Sequence, residues 1–157
     1  MNGSKGIWRM VLVLAAVGGL AFWLVNFAIS RTPIAAEYRA ALSISYFPML
    51  IEALIGGLII GLGVSYFLLR FFDRIPVKDP IIKSVILSLI VLIIITVSIG
   101  NPSSFYGTSD VLRYFLISTI INILRILALG IAIGFLYIRL YKGSVPSTNA
   151  SKSAQAK

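Results

Sequence analysis

Long apolar runs separated by short polar stretches recur four times along this 157-residue chain. They fall at about residues 10–30, 46–72, 80–100 and 111–141, each near or above the roughly 20 residues that carry an α-helix across a bilayer's hydrocarbon core. The pattern predicts an all-α integral membrane protein with four transmembrane helices. Residues 1–9 form a polar N-terminal segment ahead of them, and residues 142–157, poor in apolar side chains, read as a disordered tail.

Helix boundaries are written in the turn residues. The first run follows Lys5 and Arg9 and ends in Ala28, Ile29 and Ser30, a small-residue pattern shared with cleavable leaders. Its apolar part exceeds the usual 7 to 15 residues, so an uncleaved anchor is expected. Residues 31–45 contain Pro33, which permits a helical restart, and Ile34, Tyr38, Ala41 and Leu42 share one face. That segment is either a short helix in the membrane interface or a loop. Asp79 followed by Pro80 has the form of an N-cap and first-turn proline, and Ser109 or Asp110 can cap the last helix after the turn-rich stretch 101–110.

Composition confirms the solvent. With 59% hydrophobic residues, 12% charged and a mean hydropathy of +0.99, the chain is too apolar to cover one core with a polar surface. It has no cysteine and no histidine, which removes disulfides, thiolate and imidazole metal sites, and Cys or His nucleophile chemistry. No cofactor is expected. The net charge of +9 points to lipid rather than nucleic acid, because the basic residues flank the apolar runs. If the chain crosses four times, ten of the lysines and arginines other than Arg125 lie on the side of the two termini and three, Arg31, Arg39 and Arg113, on the other. That bias predicts both termini in the cytoplasm and a plasma-membrane location.

Apart from basic residues near their ends, the runs hold two charged residues, Glu52 and Arg125. Each costs roughly 2.5 to 3.5 kcal/mol to insert, so each is a functional candidate by default. Glu52 lies 18 residues from Arg70 and Arg125 lies 14 from Arg139, a difference in depth of about 6 Å at 1.5 Å per residue. Ser118, Asn122 and Arg125 fall within about 60° on one helix face. These residues are expected to form an intramembrane polar cluster with a buried Glu52–Arg125 ion pair, which fixes helix register more readily than it conducts ions. Gly57 and Gly61, and likewise Gly130 and Gly134, are spaced four apart on the faces opposite the charges and should let helices pack closely. Arg70, Arg74, Lys78 and Lys83 form a basic rim that can touch anionic lipid. Trp8, Trp23, Tyr46, Phe105 and Tyr106 suit interfacial anchoring.

Sliding the chain by 69 positions lays Gly61 on Gly130, Tyr66 on Phe135 and Arg70 on Arg139, which suggests two tandem helical hairpins in the same orientation. The function expected from all this is non-enzymatic: an accessory or assembly subunit, in a homo-oligomer or a membrane-protein complex. The alternative is a small oligomeric transporter or channel whose path passes Glu52 and Arg125.

Overall fold

The computed structural model describes residues 3–74, 76–77, 79–99 and 110–142. Helices α1 (Gly3–Ser30), α2 (Pro33–Ala41), α3 (Tyr46–Phe71), α4 (Pro80–Ile99) and α5 (Val111–Lys142) account for nearly all of them, with one 3₁₀ turn, Phe72–Arg74, after α3. Three helices are long and apolar enough to cross a membrane, over Gly6–Ser30, Tyr46–Phe71 and Val111–Leu140; Pro80–Ile94 is a shorter apolar helix. This is the make-up of a helical membrane protein. The first helix begins at Gly3, so the segment expected to be a polar N-terminal start is helical from its third residue. The loop at 101–109, the tail at 143–157, Lys78, Phe105 and Tyr106 lie outside the described residues.

Local chemistry accounts for the boundaries. Asp79 caps α4 through its carboxylate, which accepts the Ile81 N–H at 2.8 Å, and Pro80 takes the first position, where a missing N–H costs nothing. Residues 31–45 resolve in favour of the helix: Thr32 caps α2 by accepting the Ala35 N–H at 3.3 Å, with Pro33 next in line. At its end the Ile44 N–H reaches the Arg39 carbonyl and the Ser43 N–H the Ala40 carbonyl, the paired bonds of a Schellman turn.

Packing is pairwise and antiparallel. The α1 helix packs most extensively on α3, α4 on α5, and α1 also lies along α5; α3 meets α4 less extensively. A β-carbon at Gly61 would stand 2.8 Å from the Ala15 carbonyl oxygen, and one at Gly134 only 2.6 Å from the Ile81 Cα. Gly57 likewise sits against Phe22 and the Gly19 carbonyl of α1, and Gly130 against Val85 and Ser88 of α4. All four expected packing glycines are therefore points where two backbones touch, the arrangement lipid-embedded helices use when no hydrophobic force drives them together. Leu14, Val64, Leu68, Ile126, Leu129 and Ile133 fill the core between these contacts.

Candidate functional site

The end of the molecule that carries α2 concentrates its polar chemistry. There α2 bridges chain segments far apart in sequence: Arg113 at the start of α5 pairs with Glu37 at 2.9 Å, and the Tyr38 and Tyr114 rings lie 6.1 Å apart. Arg39 donates to the Ser30 carbonyl at 2.8 Å and its guanidinium lies 5.1 Å from the Tyr46 ring centroid. Just below, Trp23 of α1 donates its indole N–H to the Leu50 carbonyl of α3 at 3.1 Å, so this aromatic ties two helices together.

Arg125 lies on the flank of α5 that faces α1. Its guanidinium is 5.5 Å from the Phe22 ring centroid, and its Nε reaches the Ile121 carbonyl of its own helix at 3.4 Å. Ser118 and Asn122 are half-buried along the same side of α5. Glu52 is elsewhere. It is exposed on the outer side of α3, away from the face that carries Ala53, Gly57, Gly61, Val64 and Leu68 into the core.

The expected Glu52–Arg125 pair is therefore not made: among the described residues the ion pair is Glu37–Arg113. Depth is not the reason. On α1, Ala15 faces Gly61 and Ser30 faces Tyr46, while Gly18 faces Leu129 and Ile133 and Phe22 faces Arg125. That register places Glu52 and Arg125 within about two residues, roughly 3 Å, of the same level. Direction is the reason. The glycine face of α3 must turn inward for α1 to approach, and Glu52 is on the opposite side. On α5 both faces are covered, the glycines by α4 and Arg125 by α1.

The basic rim divides similarly. Arg70 and Arg74 are exposed, Arg74 with its guanidinium 5.4 Å from the Phe71 ring centroid. Lys83, expected to touch lipid, is only 5% exposed. Its ammonium donates to the Phe72 carbonyl at 2.6 Å and sits 3.7 Å from the centroid of the Phe72 ring, so it serves as a C-terminal cap for the helical stretch ending α3.

One functional candidate escaped the sequence reading. Asn26 of α1 is 3% exposed, and its side-chain nitrogen has no hydrogen-bond partner among the described residues. The signal was present: it is the one side-chain amide in the run 10–30. Among the described residues no group of three or more carboxylates, cysteines or histidines converges as a metal site would require. Compared with known proteins, the chain matches no family model, no curated protein and no solved structure.

Proposed function

We propose that this chain is a non-catalytic accessory or assembly subunit of a larger complex in the cell membrane, crossing it four times with both termini in the cytoplasm. The observation that carries the reading is Glu52, a carboxylate exposed on an otherwise apolar outer helix face. Its neighbours there are Ile51, Ile55 and Ile59, all more than half exposed. Gly56 and Gly63 lie on the same side, with no atom within 4 Å of where a β-carbon would be, so a neighbouring backbone has room to approach. A carboxylate facing hydrocarbon calls for a cation at its own depth. The occupant of this face is a transmembrane helix of another protein bearing a lysine or arginine at that level. A second copy of this chain suits the face less well, because its own intramembrane cation, Arg125, is turned onto Phe22. The same geometry disfavours a conduit through one molecule, since a path past Arg125 does not meet Glu52.

The test begins with complexes extracted in mild detergent. The wild type should migrate in an assembly containing a basic-spanned partner. Glu52→Lys should release it, and changing the partner's cation to glutamate should restore it. A monomer or a symmetric homo-oligomer whose mass is untouched by Glu52→Gln overturns the proposal, and ion flux through such an oligomer in liposomes would favour a channel.

A further inference from the structure

Arg125 and Asn26 share an unmet need. The guanidinium has five N–H groups, yet among the described residues its one hydrogen bond is the 3.4 Å contact to Ile121, supplemented by the Phe22 ring, and no carboxylate pairs with it. Asn26 stands one helical turn beyond Phe22 on the same buried face of α1, and the antiparallel register of α1 and α5 brings it level with residues 121–122, about one turn from Arg125. It too offers an N–H with no acceptor among the described residues. Toward the end of the molecule, α2 closes over this region through Tyr38 and Tyr114. Two donors, a charged one on α5 and an almost fully buried one on α1, thus stand within about one helical turn of the same level, and among the described residues only the Ile121 carbonyl receives any of their hydrogens.

We propose that Arg125 and Asn26 form a binding site, within the membrane span, for the oxyanion group of an amphiphile. A carboxylate or phosphate accepts from both side chains and neutralises the guanidinium, while the apolar part of the ligand lies against Phe22. Water could satisfy the amide but would leave the positive charge uncompensated in a medium that penalises it. The two natural sources are a long-chain carboxylate and a phospholipid phosphate drawn below the surface. This site is independent of the Glu52 face, so either proposal can fail alone.

The full chain, purified and delipidated in an uncharged maltoside detergent, should be titrated with decanoate, with short-chain phosphatidic acid and with decanol, reading bound ligand by native mass spectrometry. At least one anion should bind, at least tenfold more tightly than decanol; which one identifies the source. Arg125→Gln and Asn26→Leu should each weaken that binding tenfold or more, while Arg39→Gln at the rim and Glu52→Gln should leave it unchanged. Asn26→Leu keeps the branched side-chain skeleton while removing the amide's hydrogen-bonding groups, so it carries the test if Arg125→Gln does not fold. Absence of anion binding to the wild type, equal binding of decanol, or unchanged binding in Asn26→Leu overturns the proposal.

Discussion

Ser43 holds a φ of 53° without being glycine. Left-handed backbone brings Cβ close to the neighbouring carbonyl and costs about 1–2 kcal/mol, and the turn that needs it lies between α2 and α3. Ser43→Gly should relieve that strain, offset in part by the greater freedom of glycine in the unfolded chain. The expected result is a net gain of roughly 0.5–1 kcal/mol, read as a higher unfolding midpoint in detergent. Side-chain direction was the hardest property to read from the sequence at this scale. The depths of Glu52 and Arg125 were legible from residue counting, because a helix rises by a constant step. Which way each pointed was not, since 100° per residue sets angles only about a helix's own axis. The glycines held the missing clue: a face that must admit another backbone has to be the inner one, which turns Glu52 outward. Lys83 was misread for a related reason. A lysine at the start of a helix looks like a rim charge until the neighbouring helix end offers it a carbonyl.

At the level of elements, the two strongest pairings, α1 with α3 and α4 with α5, use the same device. Gly61 receives Ala15, and Gly130 receives Val85 and Ser88. Shifting both helices of the first pair forward by 69 positions lays the Gly61–Ala15 contact on the Gly130–Val85 contact to within one residue. Tightness of these contacts sets the mutational prediction. Gly134→Ala would force a β-carbon to 2.6 Å from the Ile81 Cα, and backbone atoms cannot yield as a flexible side chain does. A loss of about 1–3 kcal/mol is expected. Gly56→Ala and Gly63→Ala point into open space and should be neutral or stabilise by up to about 1 kcal/mol, as alanine does in a helix. Comparing the three unfolding midpoints checks whether close packing or glycine itself governs stability. Helix α2 was legible only as an alternative to a loop. Its decisive contacts, to Arg113 and Tyr114, come from more than 70 residues away, beyond the reach of any local pattern.

For the molecule as a whole, the four apolar runs were plain because hydrocarbon leaves little choice of backbone structure. Orientation rests on the uneven spread of lysine and arginine, and the cysteine-free sequence makes it easy to test. Single variants Ala40→Cys, on α2, and Arg74→Cys, after α3, place thiols on exposed residues near opposite ends of α3. In intact cells a membrane-impermeant maleimide should label the first and spare the second until the membrane is opened. Labelling of both, or of Arg74→Cys alone, would reverse or break the proposed topology.

The Glu37–Arg113 clasp also imposes an order of events on synthesis. As the polypeptide emerges, α1 and α3 can pair early, but α2 has no hold on its distant partner until α5 has been made. Until then the nine-residue segment is held, among the described residues, by its own caps and its neighbours in α1 and α3. A chain halted before residue 110 should accordingly be cut by external protease within α2, and the finished protein should resist.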